Sequence, residues 1–279
     1  MKIGIVQTSP VFGEVKRNLT EACDAMASCT ADLWVLPELF ATGYQFVSRS
    51  EVETLAEPIP NGPTTQRLTD FARTRRCTVA AGLPEKDDAG KLYNSAVLVG
   101  PTGLILRYRK IHLFAEEKRW FLPGDEPLSV ADVGGARVGL MICFDHFFPE
   151  AARTLALRGA EIIAHPANLV MPVYAQLTMR ARALENGVYT VTANRIGFEH
   201  RAADRLTYTG CSQIASPDGT LLYSGPADAT DTAIVEIDPA QARDKSLTPW
   251  NDRLADRRPI LYDARLGPGN PETPIEPGH

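Results

Sequence analysis

The sequence predicts an α/β fold. Short runs rich in Val, Ile and Leu recur along the chain and end at Gly, Pro or Asn, as strands do. Between several of them lie segments with helical patterning. Two hairpins interrupt this alternation of strand and helix, which is itself the pattern of α/β architecture.

Lys2 to Gln7 reads as the first strand, Asn18 to Ala31 as a helix and Leu33 to Leu36 as a strand. Thr64 to Arg76 is helical and Thr78 to Gly82 extended. Ser95 to Lys110 is a hairpin, with strands Ser95 to Val99 and Leu104 to Tyr108 about the turn Gly100-Pro101-Thr102-Gly103. Pro and Gly suit the restricted dihedrals of such a turn. Arg137 to Ile142 is a strand, and Pro149 to Arg158 a helix with Pro in its first turn. Ile162 to His165 is a strand. Ala175 to Asn186 is a helix, with Leu177, Arg180, Ala181 and Leu184 at helical spacing. Tyr189 to Ala193 is a strand. A second hairpin, Cys211 to Tyr223, turns at Ser216-Pro217-Asp218-Gly219 between strands Gln213 to Ala215 and Leu221 to Tyr223. It resembles the first loosely, a weak sign of an internal repeat. Ala233 to Ile237 is the last strand. Residues 1–266 read as one domain. Gly267 to His279, rich in Pro and Gly and without periodicity, reads as an arm or a disordered tail.

The chain has 279 residues, 44% hydrophobic and 23% charged, enough apolar material for a large core. Its formal net charge of -5 argues against a nucleic-acid partner, which needs a clustered positive face. The densest basic cluster, Arg73, Arg75 and Arg76, reads as a solvated helix end. Five cysteines, an odd number, lack metal-ligand spacing with nearby histidines. Free thiols in a reducing, cytoplasmic setting are expected, with no metal and no cofactor. The start, Met1 to Gln7, has neither a signal-peptide nor a membrane-spanning pattern.

Three apolar runs each end on a reactive group: Leu33 to Glu38, Leu104 to Lys110 and Val138 to Cys143. Strand ends open into clefts that a sheet holds rigid. Each residue also has a plainer reading. A cysteine closing an apolar run is commonly a buried core residue. Phe144-Asp145-His146-Phe147-Phe148-Pro149-Glu150, however, turns the chain sharply toward a helix start, which favours thiolate. Glu38 is either a surface carboxylate or, among apolar neighbours, a buried one with a raised pKa suited to proton transfer. Lys110 is either part of a basic strand edge with Arg107 and Arg109 or an internal lysine needing a carboxylate such as Glu38 or Glu117.

Other residues leave more than one reading open. His112, His146, His165 and His200 invite a Cys-His hydrolase, though a histidine near a cysteine is more often structural. Asn168 reads as a substrate contact or, more commonly for Asn, as a loop closure. Tyr44 reads as a cavity wall or a packed aromatic. Arg182 and Glu185 suit an i,i+3 ion pair. Asp145 reads as a partner of the backbone around Cys143.

Leu36-Pro37-Glu38, Tyr108 to Phe114 and Gly139 to Glu150 together resemble the three signature blocks of the nitrilase superfamily of carbon–nitrogen hydrolases. The likeness extends through Tyr93-Asn94-Ser95-Ala96, Phe121 to Asp125, His165 to Asn168 and Arg182 to Tyr189, and so spans Met1 to about Asp263. The resemblance implies a four-layer αββα sandwich and a Glu-Lys-Cys triad. In that triad Cys143 is the nucleophile, Glu38 the general base and Lys110 the third member. Glu117 corresponds to a second glutamate beside the lysine, with Glu116 the alternative if the register slips by one. The backbone N–H of Phe144 corresponds to an oxyanion donor. Many nitrilases carry Trp-Glu after the cysteine and amidase or carbamoylase branches Tyr-Asp; Phe144-Asp145 favours the latter. The expected activity is hydrolysis of a small non-peptide amide through a cysteine thioester. A ureido hydrolase is the alternative, then a nitrilase, with a non-enzymatic binding protein disfavoured by the retained triad. A homodimer formed through helical layers is also implied, with no nucleic-acid or membrane partner.

Overall fold

The computed structural model describes residues 1–262. The described residues divide into two compact units, Met1–Asp244 and a second that begins at Lys245. The tail expected at residues 267–279 lies outside the described residues.

The first unit opens with β1 (Lys2–Gln7), α1 (Val15–Ala27), β2 (Leu33–Val35), α2 (Arg49–Leu55) and α3 (Pro63–Arg75). It continues with β3 (Thr78–Lys86), β4 (Leu92–Gly100), β5 (Gly103–Arg109), α4 (Glu117–Trp120), β6 (Val130–Val133) and β7 (Ala136–Leu140). A 3-10 turn at Cys143–Phe147 leads into α5 (Pro149–Leu157), β8 (Ile162–Pro166), α6 (Tyr174–Asn186) and β9 (Tyr189–Ala193). Then come β10 (Phe198–Glu199), β11 (Leu206–Thr207), β12 (Gln213–Ala215), β13 (Leu221–Ser224) and β14 (Asp231–Glu236). The second unit contains the small antiparallel pair β15 (Ser246–Thr248) and β16 (Asn251–Asp252).

Two six-stranded sheets organise the first unit, in the orders β14-β1-β2-β3-β4-β5 and β13-β12-β9-β8-β7-β6. Strand alternation sorts their side chains. Ile3, Ile5, Leu33, Val35, Ala80, Ala96 and Leu98 enter a core shared with Val138, Leu140, Ile162 and Val191 of the other sheet. The intervening Val6, Trp34, Val79, Ala81, Val97 and Val99 pack against Leu19, Ala22 and Met26 of α1 and Leu68, Phe71 and Ala72 of α3. Gly4 makes room for this packing: a Cβ there would lie 2.3 Å from the Trp34 ring. On the second sheet α5 brings Leu155 over Gly139. Helix, sheet, sheet and helix thus form the expected sandwich.

The two hairpins fall where the sequence places them, β4–β5 and β12–β13. Other readings change. The strand before Cys143 stops at Leu140, because Met141 and Ile142 lead into the turn. The expected helix forms as α6, which buries Ala175, Met179, Arg182, Ala183 and Asn186 and leaves Leu177 and Leu184 exposed. Arg182 takes a core-facing position because its guanidinium reaches the carbonyl of His146 at 3.2 Å and Glu185 at 3.1 Å. Among the described residues, no helix is long and apolar enough to cross a membrane.

Candidate active site

Glu38 lies three residues beyond β2. The loop is held against β3 by Leu36 N–H to Ala80 O (2.8 Å), Gly82 N–H to Pro37 O (3.1 Å) and Phe40 N–H to Gly82 O (3.3 Å). Gly82 permits this approach, since a Cβ there would sit 2.6 Å from Glu38 Cα. The loop drives Glu38 fully inside, at 0% exposure. Its Oε1 accepts from Lys110 Nζ (2.7 Å) and Asn94 Nδ2 (2.7 Å). Its Oε2 is buried with no hydrogen-bond partner among the described residues.

Lys110 follows β5 directly. Its N–H donates to Asn94 O at 2.8 Å, extending the β4 pairing by one residue. The ammonium, also fully buried, sits between Glu38 Oε1 and Glu117 Oε1, each 2.7 Å away. Glu117 opens α4 and also accepts from Tyr44 Oη at 2.7 Å and Phe114 N–H at 3.3 Å. Glu116 instead pairs with Arg119 on the surface. Tyr44 therefore joins the cluster through its hydroxyl.

Cys143 begins the 3-10 turn with φ +41°, in the left-handed region that costs a non-glycine residue strain. Asp145 holds this corner. Its carboxylate accepts from Ile142 N–H (2.8 Å) and Tyr108 Oη (2.7 Å) and pairs with His112 Nδ1 (2.8 Å). His165 Nε2 donates to Cys143 O at 2.9 Å. The thiol is 3.8 Å from Asn168 O, within sulfur hydrogen-bond reach. Phe144, next in the turn, packs its ring against Phe114 and Phe148.

The electrostatics follow from burial. Desolvation pushes the Glu38 carboxyl up to about 7, with Lys110 opposing and Glu117 reinforcing the rise. Burial favours neutral Lys110, but Glu117 and Glu38 outweigh it and hold the ammonium charged. Burial and then the Glu38 charge raise the Cys143 thiol well above its ordinary value, against Lys110. Sulfur, carboxylate and ammonium thus act on one another within one centre.

The histidines are engaged elsewhere. His146 Nδ1 meets Thr178 Oγ1 at 2.7 Å, and His165 bridges the Cys143 carbonyl and Thr192. Burial lowers His146 to about 3 and His165 to about 4. His112 stacks on Phe148. Asn168 is 2% exposed, yet both polar atoms of its amide lack partners among the described residues, so its side chain closes no turn there.

Sequence reasoning gave no individual role to Asn94 and missed Glu199. Asn94 is a fully buried polar residue in the mainly apolar β4, and its amide-bearing side chain is the available signal. Glu199 accepts from the N–H groups of Tyr44 (3.2 Å) and Gln45 (2.6 Å), and Arg195 neutralises it at 2.6 Å. No local spacing marks Glu199, because the loop it anchors is distant in sequence.

Residues 2–245 match the carbon-nitrogen hydrolase family. The chain is 49% identical to a protein of Pyrococcus abyssi named a nitrilase, over 94% of this chain and 99% of that one. It is 37% identical to an (R)-stereoselective amidase of a Pseudomonas species, over 94% and 93% of the two chains. Among solved structures, a glutamate-to-glutamine mutant of the Nesterenkonia amidase, with acrylamide added to its active-site cysteine, superposes with a TM-score of 0.78. That chain is 28% identical, and the match covers 94% of this chain and 98% of the amidase. The chain belongs to the carbon–nitrogen hydrolases of the nitrilase superfamily.

Proposed function

We propose that the protein hydrolyses the carbon–nitrogen bond of a small non-peptide amide, with Cys143 as nucleophile. The observation that carries the reading is the buried Lys110 ammonium, bound by Glu38 and Glu117 beside a Glu38 oxygen that has no partner among the described residues. Glu38 takes the thiol proton as sulfur attacks the carbonyl carbon. Lys110 and the Phe144 N–H stabilise the resulting oxyanion; one such donor is typically worth about 10²–10³ in rate. Glu38 then protonates the nitrogen, the carbon–nitrogen bond breaks and ammonia leaves a thioester. Water, deprotonated by Glu38, attacks that thioester; the carbon–sulfur bond breaks and Glu38 returns the proton to sulfur. A carboxyl with pKa about 7 can both accept and give protons near neutral pH. Glu117 and Tyr44 position Lys110, and the unpaired amide of Asn168 contacts substrate.

A nitrile is the second reading, favoured by the name of the Pyrococcus abyssi relative. Small amides, ureido acids and nitriles assayed for ammonia release, with carbon dioxide measured in parallel, separate the activities. Amide turnover without carbon dioxide is expected. Turnover confined to ureido acids with carbon dioxide release, or confined to nitriles, rejects the amide assignment.

The active species is a cytoplasmic homodimer in this reading. Phe147, Leu157, Tyr174, Leu177 and Leu184 are exposed on and beside α5 and α6, and that helical face suits a second copy.

A further inference from the structure

Cys143 borders a cleft of about 10 Å³ with mainly apolar walls: Phe114, Phe144, Leu169, Val170 and Met171. A second cavity of about 160 Å³ has Tyr44 and Glu117 in its wall. Phe114 lines both spaces. Its ring packs on Phe144 with centroids 5.2 Å apart, and its N–H donates to Glu117 Oε2 at 3.3 Å, so this shared wall residue is held through both ring and backbone.

Charge in these walls has one sign. Among the described residues lining the two cavities there is no Lys or Arg, while Glu116, Glu117 and Asp204 line the larger one. Lys110 lies beneath and is committed to Glu38 and Glu117. His146 lines the cleft, but burial, with His165 and Arg182 nearby, holds it neutral at ordinary pH. A carboxylate on a substrate's acyl chain would therefore lose water without gaining a counter-ion, beside existing carboxylates. Such a group is rejected both by desolvation and by like charge.

We propose that the enzyme selects a small, uncharged acyl chain and that Phe114 sets its upper size by closing the nucleophile's cleft from the larger cavity. The proposal rests on Cys143 being the nucleophile. It separates this site from one built for dicarboxylic monoamides or ureido acids.

Ammonia release is measured with butanamide, hexanamide and succinamate, which carries a carboxylate on a similarly short chain. Wild type is expected to turn over succinamate with kcat/KM at least about a hundredfold below butanamide, because one unpaired buried charge costs more than a few methylenes. Phe114→Ala is expected to raise the hexanamide-to-butanamide ratio by about tenfold, the scale of one or two methylenes. Phe114→Leu, a milder change, is expected to move the ratio the same way by less. Equal use of succinamate and butanamide, or an unchanged ratio in both variants, overturns the proposal. Alkylation of Cys143 by iodoacetamide and iodoacetate, each normalised to its rate with glutathione, tests the charge rule without turnover. The neutral reagent is expected to be at least about tenfold faster, and equal normalised rates overturn the rule. Amide hydrolysis that persists in Cys143→Ala removes the nucleophile assignment and the proposal with it.

Discussion

Glu38 answers two opposing demands. In the proposed mechanism its carboxylate must be basic enough to accept a thiol proton and acidic enough to return it to nitrogen. Burial raises its pKa and Lys110 restrains the rise, leaving it at about 7. In that mechanism the ionised form begins the reaction, so kcat/KM is expected to fall as pH drops through about 7. Glu117 contributes to that raised value, and Glu117→Gln removes its charge. The acid limb of the profile should then move to lower pH while kcat falls; a limb that stays in place or moves upward contradicts the coupling. Glu38→Gln cannot carry a proton, and a loss of at least about 10²–10⁴ in kcat is expected, the usual weight of general acid–base catalysis. Retention of more than about a tenth of wild-type kcat, well outside that range, would remove Glu38 from the role.

At the scale of elements, the site depends on how three loops leave their strands. The turn at Cys143 is fixed by Asp145, whose carboxylate engages Ile142 N–H, Tyr108 Oη and His112. Asp145→Ala leaves buried donors unsatisfied, and a loss of about 3 kcal/mol in unfolding free energy is expected. Denaturant titration measures it; an unchanged midpoint and slope would show that the corner holds without Asp145. Gly82→Ala drives a methyl against Glu38 Cα, so activity should fall through displacement of the Glu38 loop, with destabilisation of about 1–3 kcal/mol. Normal kinetics in that variant would mean the loop tolerates displacement. These contacts explain which residues the sequence disclosed. Glu38, Lys110 and Cys143 were legible because each ends an apolar run, and the residues at a strand's end open toward the cleft. The buried face of α6 was not legible because Leu177 and Leu184 carry the periodic apolar signal, while Arg182 and Asn186 are buried through hydrogen bonds that spacing does not reveal. The 3-10 turn and the short α4 were missed because neither is long enough for periodicity to register.

For the whole molecule, the sandwich supplies what no single segment can. The first sheet carries Glu38 and Lys110 and the second carries Cys143, so their packing assembles the centre. The proposed homodimer is tested by light scattering of the purified protein. A dimer is expected for wild type, weakened in Leu177→Asp because a charge would be buried on the apolar face. A wild-type monomer at assay concentration that remains fully active contradicts the assembly. The central claim is that this assembled centre transfers an acyl group to one sulfur. Acid-quenched enzyme, sampled while hydrolysing a small neutral amide, can be digested and its peptides weighed. The Cys143 peptide should carry the added mass of the acyl group. An acyl mass on a different side chain, with the Cys143 peptide unmodified, would contradict the account.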